Sequence, residues 1–403
     1  MTTRPPLLQS FIAGRWFGES PAQALHSAVN GHTVASTHAE SIDFGEALDH
    51  ARRQGLPGLM ALDFQQRAAI LKALGKYLVE HKETLYAVSA HTGATRNDSW
   101  IDIEGGSGTL FAYASIGTNE FPSSNLVHEG PALALGKQGR FSGTHILVPR
   151  GGVAVHINAF NFPIWGMLEK FAPSFLAGMP CIVKPATATS YLTEAAVRLI
   201  QQSGLLPAGS LQLVIGATGD LLERLQAQDV VTFTGSADTA AKLRAHPNLI
   251  ANAIPFNAEA DSLNCAILGP DVSADDEEFE LFVKEVAREM STKAGQKCTA
   301  IRRAIVPRQH VDAVAERLAA RLSKIVVGDP ALESVRMGPL ASKAQQRDVE
   351  ERVALLKQSA YWGSLPMPSP TLSPRSETWP RPNACWKAPE PRWKTSSAST
   401  NAA

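Results

Sequence analysis

Between residues 151 and 245 short apolar runs alternate with stretches of helical periodicity, and this alternation restricts the fold more than any other feature of the chain. Val153-Ala-Val-His-Ile157 reads as a buried strand, and Phe162 to Ala177 as a helix stopped by Gly178 and Pro180. Cys181-Ile-Val-Lys184 is a second strand. A helix from about Ser190 to Gln202 ends at Gly204, Leu211 to Ile215 is a strand, and Asp220 to Ala227 is a helix. Val230 to Phe233 is a strand running into Thr234-Gly235-Ser236. Strands joined by helices of this length predict an α/β class with a parallel sheet covered on both faces, and such sheets bind ligands beyond the C-terminal ends of their strands. The loops there are Asn158 to Pro163, Lys184 to Thr187, Gly216 to Gly219 and Thr234 to Ser236.

None of these loops is a Gly-x-Gly-x-x-Gly or a P-loop. Phe233-Thr-Gly-Ser236 places small residues between a strand and a helix, where backbone N–H groups can approach a phosphate, although a plain helix cap explains it equally well. Further on, Phe282, Val286, Met290 and Ala294, with Val283 and Ala287, mark one helix face ending near Gly295. Cys298 follows, in a loop before a strand-like Ile301 to Val306. With Gly295 and Lys297 beside it, this cysteine is predicted to be partly exposed and electropositive, the conditions that favour thiolate. Cys181 and Cys265, in apolar runs, are expected to be buried core residues.

Composition excludes several classes of function. The 403 residues carry 38 Lys and Arg against 38 Asp and Glu, so nothing holds the chain to nucleic acid or an anionic membrane by net charge. No apolar run reaches the ~18 residues of a membrane span, and the start of the chain has no targeting pattern, so a cytoplasmic location is expected. The four cysteines show no zinc-ligand spacing. Near residue 356 the character of the chain changes. The last 47 residues hold 8 of the 26 prolines and four of the seven tryptophans, with a net charge of +4 against −4 before them. They show neither helical nor strand periodicity and are expected to be unfolded.

In order and spacing, FNFP (Phe160 to Pro163), KPATA (Lys184 to Ala188), FTGS (Phe233 to Ser236), Glu259 ahead of an apolar strand, and GQKCTA (Gly295 to Ala300) resemble the aldehyde dehydrogenase superfamily. FIAGRW (Phe11 to Trp16), VGDP (Val327 to Pro330) and MGPLAS (Met337 to Ser342) fit the same pattern, which covers about residues 7 to 356. TGATRNDSWIDIEGG (Thr92 to Gly106), the segment from His156 to Pro173 and EADSLN (Glu259 to Asn264) are more specific. They are similar to the dehydrogenase half of bifunctional phenylacetate-degradation proteins. A related group acts on the dehydroadipyl-CoA semialdehyde of benzoyl-CoA degradation.

The resemblance implies an aldehyde dehydrogenase fold: an N-terminal arm and Rossmann-like dinucleotide-binding domain over 1–258, a partial catalytic domain over 259–356 and a disordered tail over 357–403. It implies oxidation of an aldehyde, expected to be a CoA-linked semialdehyde of phenylacetate degradation, to the acid through a cysteine thioester. Cys298 matches the family nucleophile. Asn161, otherwise a turn-capping Asn, would hold the oxyanion together with the Cys298 N–H. Glu259, otherwise a surface Glu at a strand start, matches the base that activates water. Lys170 matches a lysine that relays the proton.

On the cofactor side Lys184 matches a lysine reaching the adenine ribose, and Phe160, Thr234, Gly235 and Ser236 would line the dinucleotide, with Ser236 at its pyrophosphate. Ala240 stands where many members have glycine. Thr187 replaces a Glu common in NAD-preferring members. That carboxylate would repel a 2′-phosphate by ~1 kcal/mol in water and ~4 kcal/mol at an effective dielectric of 20, so NADP is expected, with NAD as the alternative. The family forms homo-oligomers. After Lys357 its pattern fails, as a shift of reading frame would cause. The chain is therefore expected to be a truncated, inactive enzyme, the alternatives being a cofactor-binding fragment without turnover and a dehydroadipyl-CoA semialdehyde dehydrogenase of benzoyl-CoA degradation.

Overall fold

The apolar runs assemble as a sheet in the computed structural model, which describes residues 5–358. Its seven strands are, in chain order, Ser10–Ile12 (β1), Arg15–Phe17 (β2), Ala154–Ile157 (β3), Cys181–Lys184 (β4), Leu211–Leu213 (β5), Val230–Gly235 (β6) and Phe256–Ala260 (β7). Across the sheet the order is β7-β6-β3-β4-β5-β1-β2. It is parallel from β7 to β5 and antiparallel at β1 and β2. From β3 the chain runs outward through β4 and β5, then returns to the other side of β3 to form β6 and β7. The loops leaving β3 and β6 therefore diverge, and a crevice opens between them at the C-terminal edge.

The helices that cover one face begin with strong local signals. Phe64–Glu80 (α1) and Arg96–Asn119 (α2) each start at a capping box, Asp63 with Gln66 and Thr95 with Asp98. Pro163–Leu176 (α3) opens on a proline in its first turn, and Ser190–Gln202 (α4) follows β4. Leu71, Leu110, Met167, Phe171 and Val197 pack with Ala154, Cys181 and Val183. On the opposite face Val153, Val155, Ile157 and Ile182 pack with Phe44, Leu48 and Phe233. This is the two-residue alternation of strands buried on both sides. Buried Arg67 of α1 ties the ends together by donating to the carbonyls of Leu176 at 2.8 Å and Leu59 at 2.9 Å, and to that of Leu62. A short helix, Ala237–Arg244 (α5), follows β6.

Beyond β7 the packing thins. Glu277–Ser291 (α6) and Val311–Leu322 (α7) share a small core of Leu268, Phe279, Val283 and Val314 with a parallel pair, Cys265–Ile267 (β8) and Arg303–Ile305 (β9). Ile267 and Ile305 on that pair remain 68% and 50% exposed. Lys343–Gln358 (α8) has no buried residue. Hydrogen exchange should follow this gradient, with amides of β8 and β9 exchanging at least about tenfold faster than those of β3 and β4. Equal protection would show that the smaller core is as tightly closed as the large ones.

Four local expectations are corrected. Cys265 is exposed, because β8 lies in a two-stranded pair instead of the double-sided sheet that buries Cys181. Asp220 to Ala227 forms a 3-10 turn over Leu221–Arg224 only, because Leu225 takes extended backbone and packs with Leu221 and Leu222 in the core. α6 stops at Ser291, where Lys293 and Ala294 take positive φ, so Ala294 leaves the helix. Met290 of the expected apolar face is 45% exposed. Of the expected tail, Lys357 and Gln358 close α8, and the remainder lies outside the described residues.

Candidate active site

The crevice at the sheet edge holds two adjoining cavities. The larger, about 730 Å³, is lined by the loop after β3 (Asn158, Phe160, Asn161), the turn after β6 (Thr234, Gly235, Ser236) and the segment from Ala294 to Cys298. The smaller, about 400 Å³, is lined by Ile101, Phe162, Trp165, Gly166 and Glu169 on the α2 and α3 side. Asn161, Thr234, Glu259 and Cys298 line both. A thiol, a carboxylate and an amide thus meet where the larger cleft joins a small one walled by aromatic rings.

Parallel register explains part of this meeting. Thr234 on β6 pairs with Glu259 on β7, so the carboxylate emerges beside the strand end, its Oε2 3.5 Å from the Thr234 hydroxyl. Ser236 caps α5, its Oγ accepting the Thr239 N–H at 3.3 Å, and thereby directs a helix N-terminus into the larger cavity. The Cys298 loop is pinned from three sides. Asn161 Nδ2 donates to the Gln296 carbonyl at 2.9 Å. Asn264 Nδ2 donates to the carbonyls of Cys298 and Ala300 at 2.7 and 3.0 Å. Arg302 donates to the carbonyls of Gly295 and Lys297 at 3.1 and 2.7 Å.

The electrostatics of Cys298 reverse the expectation from its neighbours. Lys297 is captured by Glu289, one helical region back, with Nζ 3.0 and 2.9 Å from its two carboxylate oxygens. The thiol faces Glu259 and Glu169 instead. Desolvation first, then a hydrogen bond to Glu259 and the charges of Glu259 and Glu169, push its pKa up, against a small opposing effect of the Thr299 N–H. Each of the raising effects favours the thiol over the thiolate beside the carboxylate.

The other residues singled out by sequence fall around these cavities. Lys170 lines neither; its ammonium sits 2.7 Å from Glu169 and 3.3 Å from the Gly166 carbonyl. Lys184 and Thr187 also stand outside the linings, while Ala186 between them belongs to the larger one. Lys184 is half-buried and donates to the Pro185 carbonyl at 3.0 Å, and burial lowers its pKa. Three residues at the site were not read from the sequence. Asn158 is buried on the larger cavity with both amide atoms unpaired, Glu169 brings a second carboxylate to the smaller cavity, and Asn264 holds the Cys298 carbonyl. Asn158 opens the very loop that contains Asn161, and Asn264 ends EADSLN, so both lay within segments already marked. Nothing local distinguishes Glu169 from an exposed helix glutamate.

Among the described residues no cluster of His, Cys, Asp and Glu could hold a metal ion, and no helix is long and apolar enough to cross a membrane.

Known proteins share both the sequence and this architecture. The 3,4-dehydroadipyl-CoA semialdehyde dehydrogenase of Aromatoleum evansii is 43% identical over 353 residues, which is 87% of this chain and 68% of that protein. The succinate-semialdehyde dehydrogenase [NADP(+)] of Escherichia coli is 24% identical over 86% of this chain and 69% of its own length. Among solved structures, the betaine aldehyde dehydrogenase of Staphylococcus aureus in complex with NAD+ superposes with a TM-score of 0.75 at 21% identity, over 87% of this chain and 67% of that one. The fold is that of the aldehyde dehydrogenases. The sequence pattern of the aldehyde dehydrogenase family runs through residues 18–362, across both cavities and the cysteine between them, and the chain belongs to that NAD(P)-dependent oxidoreductase family.

Proposed function

We propose that the chain oxidises the aldehyde group of a CoA-linked semialdehyde to a carboxylate with NADP, through a thioester on Cys298. The observation that carries the reading is that Cys298, Glu259 and Asn161 line both cavities, where an aldehyde in the smaller would meet a dinucleotide in the larger. Cys298 adds to the carbonyl carbon, and Asn161 with the Cys298 N–H holds the oxygen as charge develops there. Asn161 has a second amide N–H for this task beyond the one on Gln296. NADP, when bound, accepts the hydride that leaves the tetrahedral carbon. Glu259 then takes a proton from water to release the acid, and Lys170 with its partner Glu169 relays that proton outward.

The residues present fit a dinucleotide. Asn158 offers an unpaired buried amide on the larger cavity, and Ser236 starts a helix whose N–H groups face it. Lys184 forms none of the ion pairs found among the described residues, and Thr187 puts no carboxylate near it. A 2′-phosphate would meet attraction there without repulsion. Phe160, Thr234 and Gly235 complete the wall.

The relative at 43% identity supports a CoA-linked semialdehyde, and the substrate in its name favours the dehydroadipyl compound over the phenylacetate-derived one. Steady-state assays of the full chain with each semialdehyde, as the CoA thioester and as the free acid, and with each dinucleotide test the reading. The expected result is at least about tenfold higher kcat/KM for the thioester and for NADP, the scale of one lost charged contact. A preference for the free semialdehyde, or for NAD, would refute the corresponding half.

A further inference from the structure

The segment Thr92 to Gly106 contributes only Ile101 to the cavities, yet its two buried aspartates hold the two loops that carry the site. Asp98 and Asp102 lie one turn apart on the same face of α2, both buried. Asp98 closes the capping box through Oδ2, which accepts the Thr95 N–H and hydroxyl at 3.0 and 2.8 Å. Its Oδ1 accepts the backbone N–H of Lys293 at 2.8 Å, five residues before Cys298. Oδ1 of Asp102 accepts the N–H groups of Ile164 and Trp165 at 3.0 and 2.7 Å, the first turn of the helix that follows Asn161. Gly106 permits this approach, since a Cβ there would stand 3.0 Å from the Trp165 Cα.

Lys293 completes the arrangement. It is buried, its Nζ 2.9 Å from the Thr92 hydroxyl, and Asp98 and Asp102 are its countercharges. Lys293 and Ala294 both hold left-handed backbone, φ 52° and 53°, which a non-glycine residue adopts only when its surroundings impose it. Burial pushes the Asp102 carboxyl up to about 7, against the pull of the two helix N–H groups and Lys293. The Asn161 amide, bonded to Gln296 at 2.9 Å, closes a circuit from α2 through one loop, across to the other, and back.

We propose that Asp98 and Asp102 are positioning residues that fix the separation of the two oxyanion donors, the Asn161 amide and the Cys298 N–H, by holding one loop each from a single helix face. The proposal rests on the reading of Cys298 and Asn161 as the carbonyl-binding pair. It concerns addition of the thiol to an aldehyde, in which the C–S bond forms, the C=O π pair moves to oxygen, and oxygen gains the proton that sulfur loses.

The test uses the full chain without dinucleotide. Hexanal protects Cys298 from iodoacetamide by forming that adduct, and the hexanal concentration for half-protection, read by mass spectrometry at Cys298, reports the donor geometry. Simple alkylation without hexanal does not need the donors. Asp98→Ala and Asp102→Ala should each raise the half-protection concentration tenfold or more, while the unprotected alkylation rate changes less than threefold. Asp98→Asn and Asp102→Asn, which keep an acceptor oxygen, should return most of the loss; if an alanine variant does not fold, the asparagine variant is read, with a rise of threefold or more expected. Unchanged half-protection in the folded variants, or a change that only parallels the alkylation rate as general loosening would give, overturns the proposal. Absence of protection in the unaltered chain overturns the carbonyl-site reading itself.

Discussion

Replacing Cys298 by alanine should abolish aldehyde-dependent NADPH formation, by at least about 1000-fold, while leaving dinucleotide binding unchanged within twofold or so. The size follows from chemistry: without sulfur there is no covalent adduct, and the oxyanion donors alone cannot hold an aldehyde in the tetrahedral state from which hydride departs. Dinucleotide affinity is the control, because Cys298 is one of many residues lining the larger cavity, which keeps its walls when one side chain shortens. Cys181 is buried within the sheet, its thiol pushed far up by desolvation, so it cannot substitute. Cys265 is exposed but lines neither cavity. Turnover surviving in the Cys298→Ala protein, or an aldehyde-derived thioester found on Cys265 in the unaltered chain, would remove Cys298 from its assigned role.

Glu259→Gln should produce two effects of opposite sign. Steady-state turnover should fall about 100- to 10,000-fold, the range a positioned general base supplies, with the enzyme accumulating as the Cys298 thioester after a burst of NADPH. Alkylation of Cys298 by iodoacetamide should become faster near neutral pH. The sign follows from the direction of the thiol's shift. Glu259 helps raise the Cys298 pKa by accepting its hydrogen bond and by charge, so at pH 7 the unaltered protein holds mostly thiol. Reactivity in that protein should therefore climb as pH rises, with a midpoint above the usual cysteine range. Removing the carboxylate's charge lowers that midpoint and increases the thiolate fraction at pH 7. A pH–alkylation profile of both proteins checks this; a midpoint that stays in place or moves upward in Glu259→Gln would show that the two side chains do not interact. The same logic makes Glu169 a second, weaker contributor, since its charge acts in the same direction.

How much of the site could be read in advance differs from residue to residue. Glu259, Asn161 and Cys298 are legible through their match to aldehyde dehydrogenase motifs, and the structure brings these three to one place. Asn158 lay in the same loop as Asn161, but an asparagine's significance here is that its amide is buried without a partner, which depends on what packs around it. Adjacency in sequence does not make Lys297 the electrostatic neighbour of Cys298. Its side chain turns back to Glu289, eight residues earlier, and leaves Cys298 to the two glutamates.

The sequence by itself determined several of the elements around the crevice. Strand and helix boundaries at Cys181–Lys184 and Ser190–Gln202 follow from apolar periodicity and stop signals, which are local and leave their trace within a few residues. Only the tertiary structure decided what surrounds each group. The sheet order places the loops after β3 and β6 side by side, a parallel register sets Glu259 beside Thr234, and Asp98 meets a backbone N–H 195 residues away. Burial and electrostatic potential at an atom are sums over everything near it in space, and most of those neighbours are far apart along the chain.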